Sequence, residues 1–177
     1  MNTPINNSFI KLTNAGLLLS KEVNIDYLIN IMVEEAIDLS CSDLSCLYLC
    51  KEPDKDNCNL SLVFKKGKFD VPREFKYDNI LINFIKDSKE SIVLLERKNN
   101  IFIDLLLNHK MQSGIALPLI NKDLFLGVLF SNSVLPYHFN REKIDILESF
   151  IKLAGEIFNY YNRKDDLKAY FKRIKSY

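Results

Sequence analysis

Two apolar runs dominate the second half of the chain, Ser113 to Ile120 and Leu124 to Asn132, with only Asn121-Lys122-Asp123 between them. So short a connection leaves an antiparallel hairpin as the geometry open to them. An amphipathic run from Asn140 to Asn162 follows directly, and its helical spacing makes it a closing helix over the hairpin. Asn140 is the expected cap, with Glu142 in the first turn, and Pro136 breaks the chain before it. Pro118 removes one ladder donor, so the fourth strand is expected to be irregular or at an edge there.

Similar spacing arguments place the remaining elements. Phe9, Leu12, Gly16 and Leu19 form a narrow helical seam. Asn24 is a candidate cap for a second helix over 25–39, with Asp26 in its first turn. Residues 44–50, LSCLYLC, are too few for a helix and read as a buried strand. A second strand is expected over 60–64, turning at Lys65-Lys66-Gly67-Lys68, then a short helix over 77–86 and a third strand over 91–95. Residues 96–112 fit either a short helix over a pocket or an irregular lid. The order predicts an α+β fold, a largely antiparallel sheet with helices packed on one face.

The pattern Ser-x-x-x-x-Pro-Leu, turn, x-Gly-Val-Leu, helix, at Ser113–Leu119 and Leu126–Leu129, resembles the GAF family of sensory domains. Tyr27 to Met32 leading to Leu47-Tyr48-Leu49 is similar to that family's opening helix and first strand. The likeness covers about residues 10–161. It implies a central sheet, terminal helices on one face and a ligand pocket on the other, a plan shared with the related PAS family. PAS domains usually lack the long flanking helix and the closing motif found here. The domain is taken as 1–162, with 163–177 as a C-terminal helical extension for signalling or dimerisation.

What the resemblance implies for function is a cytoplasmic sensory domain. It would bind a small molecule beneath the 77–111 segment and pass a change through its terminal helices. The output would be a histidine kinase, a cyclic-dinucleotide enzyme or a transcription regulator, reached in trans or in a longer chain. Cys46, Tyr48, Phe64, Phe84, Phe102 and His109 are the candidate pocket residues. Twelve phenylalanines make a side-chain-filled pocket, and hence a ligand-free dimerisation module, the alternative. The motif of cyclic-nucleotide-binding members is half present: Asn121-Lys122 and Phe139 match, but Lys143 and Ile144 stand where it has Asp-Glu. Bilin-binding members attach their chromophore through a lid cysteine, and 96–112 holds none. No cofactor is named by the residues.

Catalysis finds little support. Glycine is scarce, at five residues, and no phosphate-binding glycine pattern occurs. His138 lies in a turn, and the acidic residues are scattered. Cys41, Cys46, Cys50 and Cys58 lack any Cys-x-x-Cys pair, so a zinc site is not expected, and they read as structural thiols rather than a disulfide framework. Cys46, Tyr48 and Cys50 should share one sheet face, opposite Leu47 and Leu49. A thiol-dependent reductase, as in the GAF members that reduce free methionine sulfoxide, is the enzymatic alternative, using Cys41, Cys46 or Cys50. A net charge of +1 gives no reason to expect nucleic acid or a membrane as partner. No run approaches the roughly 20 apolar residues of a spanning helix, and residues 1–20 lack the cationic start of a secretory signal. The expected compartment is the cytoplasm.

Phe150, Leu153, Ile157, Tyr160, Lys164, Leu167, Phe171 and Ile174 recur at intervals of three and four, a heptad stripe with one lysine at a core position. The stripe predicts a homodimer through Ile157, Leu167, Phe171 and Ile174, with Phe9, Leu12 and Leu19 as its second half. The competing reading folds the tail back on the chain's own first helix.

Overall fold

Every residue of Leu44–Cys50 is buried, and the period of two sends alternate side chains to opposite sides. Leu47 and Leu49 enter one apolar cluster, while Leu44, Cys46, Tyr48 and Cys50 enter another. A strand covered on both faces belongs at the centre of a sheet packed on two sides. The computed structural model describes residues 10–17, 25–51, 53, 58–98 and 100–161, the side chains of 159–161 excepted. Within them the strands are β1 (Leu44–Cys50), β2 (Leu60–Lys66), β3 (Glu74–Phe75), β4 (Ile92–Leu94), β5 (Ser113–Asn121) and β6 (Leu124–Ser133). They form one sheet in the order β3-β2-β1-β6-β5-β4, and each neighbouring pair is antiparallel.

The helices are α1 (10–17), α2 (Ile25–Ser40), α3 (Ile80–Ser88) and α4 (Arg141–Tyr161). One face of the sheet carries α2 and α4, through Leu28, Met32, Ala36, Leu147, Phe150 and Phe158 among others. Ala15 of α1 joins this layer, and a Cβ on Gly16 would lie 2.6 Å from Leu153 Cδ2, so α1 and α4 touch. The opposite face carries α3 and the segment leading into β5. This is the α+β plan expected, with terminal helices gathered on one side.

Local signals fix several boundaries. Lys143 N donates to Asn140 Oδ1 (3.0 Å), which caps α4. Ile82 N donates to Asn79 Oδ1 (3.2 Å), so α3 starts three residues later than the apolar pattern alone suggests. Lys89 closes that helix with a left-handed φ of 57°. β2 runs two residues beyond Phe64, because Lys65 and Lys66 pair with Cys46 and Ser45. The turn therefore moves to Gly67, whose φ of 122° an L side chain rarely adopts. In the β5–β6 turn the left-handed residue is Lys122, at φ 55°, rather than Asn121. β4 pairs only with Gly114–Ala116, which leaves Pro118 on an open edge. The described residues of 96–112 are irregular apart from one 3-10 turn at Ile103–Leu105. Asn24, Phe9, Leu19, Leu167, Phe171, Ile174 and the extension over 163–177 lie outside the described residues.

The β1–β6 ladder joins chain segments some eighty residues apart, and Gly127 makes the close approach possible. A Cβ there would overlap the Tyr48 carbonyl oxygen and crowd Leu49. Gly127→Ala is expected to lower stability by about 1–3 kcal/mol, the usual cost of overpacking. A shift in the urea midpoint at unchanged slope would register it.

Candidate functional site

The face opposite α2 and α4 is where a ligand pocket was expected, and among the described residues buried side chains pack across it. Tyr48 stands edge-on to Phe75 and Phe130, at centroid distances of 5.0 and 5.5 Å, and those two rings stack on each other. All three are buried. The Tyr48 hydroxyl donates to the Pro72 carbonyl (2.6 Å), so its polar end is satisfied. Above them Leu81, Ile82 and Ile85 of α3 and Leu105, Leu106 and Met111 of the following segment close the layer.

That segment is held as a lid by one buried amide. Leu107 N donates to Asn132 Oδ1 (2.8 Å), and Asn132 Nδ2 donates to the Leu105 carbonyl (3.0 Å). Asn132 is fully buried near the end of β6. Arg97 adds a second fastening, with Nε on the Met111 carbonyl and Nη2 on the Asn108 carbonyl, both 2.8 Å. Asn108 Nδ2 in turn donates to the Asp70 carbonyl (2.8 Å). Neither Asn132 nor Arg97 was singled out from sequence. The one available signal was the polar run Ser131-Asn132-Ser133 ending an otherwise apolar strand.

The candidate pocket residues are brought together only in part. Cys46 and Tyr48 lie on the lid face, fully buried. Phe102 packs half-buried against the same cluster, and its ring lies 5.1 Å from that of Phe84, which is half exposed. His109 is exposed on the lid. Phe64 sits on the opposite face, packed against the helix-side cluster. The reason is a bulge: Leu47 pairs with Phe64 but Tyr48 pairs with Leu62, so Val63 is an extra residue that shifts the alternation. Among the dimerisation candidates, Leu12 and Ile157 pack half-buried against the chain's own helix-side core.

The cysteines need one correction. Cys50 and Cys58 are joined by a disulfide, Cα to Cα 5.8 Å, across the β1–β2 hairpin. They are not the pair of free thiols the spacing suggested, because Cys50 pairs with Leu60 in the ladder and so comes beside Cys58. Cys46 and Cys41 are free, the first buried and the second exposed. Burial pushes the Cys46 thiol up to about 12, against a smaller opposing effect of the Lys65 cation. Such a thiol is a poor nucleophile near neutral pH. Burial and the neighbouring Cys46 likewise push the Tyr48 phenol well up. His138 is a structural joint: its Nε2 lies 2.8 Å from the Ser40 carbonyl, at the end of α2, and 2.9 Å from Lys143 Nζ. Among the described residues no three His, Cys, Asp or Glu side chains are grouped to hold a metal, and no helix is long and apolar enough to cross a membrane.

An open groove of about 400 Å³ lies elsewhere, on the helix side of the sheet. It runs between α4 and the connection from α3 to β4, over the stretch of β5 that β4 leaves uncovered.

With this geometry in place, solved structures supply the comparison. A free methionine-R-sulfoxide reductase from Neisseria meningitidis, solved with its substrate, superposes with a TM-score of 0.75 at 13% identity, over 93% of this chain and 95% of that one. The GAF domain of an Acinetobacter phosphoenolpyruvate-protein phosphotransferase gives 0.73 at 16% identity, over 90% and 95%. The equivalent domain from Coxiella burnetii gives 0.70 at 16%, over 92% and 99%. The chain has the GAF-domain fold. No family model and no curated protein matches the sequence. At these identities the likeness of this GAF fold to its neighbours fixes architecture and carries no residue roles across.

Two results are expected. Asn132→Leu would leave the Leu107 N–H and the Leu105 carbonyl without partners, at about 1–3 kcal/mol for each orphaned group. Chemical denaturation of this variant beside Asn132→Gln would measure the loss. In the oxidised native protein at about pH 8, a thiol reagent should modify Cys41 quickly and Cys46 only on unfolding. The Cys46 thiol ionises at its ordinary 9.0 when unfolded and at about 12 when folded. Its contribution to stability is therefore complete below pH 9 and lost as pH rises toward 12. Cys46→Ala should make the alkaline fall in stability shallower.

Proposed function

We propose that the protein is a non-catalytic regulatory module with the GAF fold, acting as a homodimer through its helical layer, with its lid face occupied by its own side chains. The observation that carries this reading is the buried Tyr48–Phe75–Phe130 trio beneath the lid fastened by Asn132. Pairing draws support from the exposed apolar side chains of the helical layer: Ile10 of α1 is 49% exposed, Tyr27 of α2 53% and Leu153 of α4 37%. The heptad spacing of Leu167, Phe171 and Ile174 points the same way. In a module of this kind two arrangements of the helices differ in free energy, and whatever favours one arrangement shifts the output. A kinase, a cyclic-dinucleotide enzyme or a regulator would read that shift.

A second reading keeps a small molecule beneath the lid. Its support is the fold itself, since the neisserial reductase of this fold was solved with its substrate. A ligand there would have to open the lid and displace packed rings. The reductase activity has less support here, because the Cys46 thiol is buried and pushed up and Cys50 is bonded to Cys58.

Two measurements separate these readings. Light scattering of the full chain should give twice the monomer mass, and Ile10→Glu with Tyr27→Glu should give a monomer of unchanged circular dichroism. A wild-type monomer would overturn the dimer. A thermal-shift panel of nucleotides, cyclic nucleotides and tetrapyrroles should be flat. A ligand at about 100 times its dissociation constant would add roughly 2.7 kcal/mol, and a hit abolished by Phe102→Ala would favour the second reading.

A further inference from the structure

Three residues lining the groove beside α4 are already engaged. Lys89 Nζ lies 3.0 Å from the Asp123 carboxylate of the β5–β6 turn. Ser91 Oγ donates to the Glu148 carboxylate of α4. Its floor is apolar, from Leu117 and Ile151, both buried, and half-buried Ile120. These bridges occupy one lysine and one glutamate of the lining. Two charges remain: Glu90 on the wall leading to β4 and Lys152 on the α4 wall, both exposed. Among the described residues neither takes part in an ion pair.

We propose that this groove binds a small zwitterion with an apolar body, specifically an α-amino acid with an aliphatic side chain. Lys152 would take the carboxylate, Glu90 the ammonium group, and the Leu117–Ile120–Ile151 floor the side chain. Charge complementarity selects this class over its rivals. A simple anion would leave Glu90 without a partner, and a simple cation would leave Lys152 without one. A nucleobase would find no aromatic ring in the lining on which to stack. The volume of about 400 Å³ lies in the range of small-molecule sites and suits a compact ligand. Pro118 sits on the uncovered edge of β5 and offers a ring in place of an N–H, which keeps that wall apolar.

The position gives the site a consequence. Glu148, Ile151 and Lys152 belong to α4 itself, and one turn further on Gly155 lies so close to Ile120 of β5 that a Cβ would overlap the carbonyl oxygen. An occupant between α4 and β5 acts on the helix that carries Leu153 of the exposed apolar face, with no lid opening required. The site lies across the sheet from the lid, so it goes beyond the function proposed above and can fail independently of it.

The test is calorimetric titration of the full chain with L-leucine, with isopentylamine, which lacks the carboxylate, and with 4-methylpentanoate, which lacks the ammonium group. Leucine should bind, and each analogue should bind about fivefold more weakly, the size of one solvent-exposed charged contact. Glu90→Gln and Lys152→Met are surface substitutions, and circular dichroism should confirm their folds. Glu90→Gln should bind leucine and 4-methylpentanoate alike, and Lys152→Met should bind leucine and isopentylamine alike. Phe102→Ala, on the lid, should leave leucine binding unchanged. Absence of saturable leucine binding, equal binding of all three compounds by the wild type, or loss of binding in Phe102→Ala would each overturn the proposal. The last result would move the ligand beneath the lid.

Discussion

One side chain, the amide of Asn132, decides what the lid face of this molecule can be. It is fully buried, and it meets both a donor and an acceptor of the segment that crosses the sheet, the Leu107 N–H and the Leu105 carbonyl. In a low-dielectric interior those groups are costly to leave unpaired, so the amide fixes the lid's register as firmly as a strand pairing would. With Leu105 and Leu107 held, Leu106 and Met111 are delivered to the cluster around Tyr48 and Phe130. The fastening and the filling are thus one arrangement, and opening the face would undo both.

The helix side depends on a different constraint, close approach at two glycines. α4 lies against the β5 backbone at Gly155, and its Leu153 side chain lies against α1 at Gly16. Helices packed this tightly move as a unit or change register; they do not deform smoothly. That property suits a layer whose outer surface carries Ile10 and Leu153 and whose inner surface borders a groove. If the groove takes a ligand, a change there would reach the outer surface through a single helix, while a change under the lid would have to cross the sheet.

Much of the architecture was legible because it rests on local pattern. LSCLYLC has the length of a strand, and its alternation correctly separates Cys46 and Tyr48 from Leu47 and Leu49. The hairpin of β5 and β6 follows from two apolar runs around a three-residue connection, and Asn140 announces α4. What escaped was set by register and by distant partners. Phe64 falls on the helix side because Val63 bulges, an event that no composition signals. The disulfide exists because the ladder carries Cys50 to Leu60, which brings it beside Cys58. Asn132 finds its partners 25 and 27 residues earlier in the chain. The groove arises because β4 is three residues long and β5 nine, a mismatch visible only once the two are paired.

The account turns on the lid being part of the folded core. Native-state amide hydrogen exchange tests this directly, by comparing Leu107 in the lid with Leu129 in the centre of β6. If Asn132 fastens the lid, both amides should exchange with the same free energy, that of global unfolding. An amide at Leu107 that exchanges orders of magnitude faster than Leu129 would mean the lid opens on its own. That result would contradict a filled and fastened face.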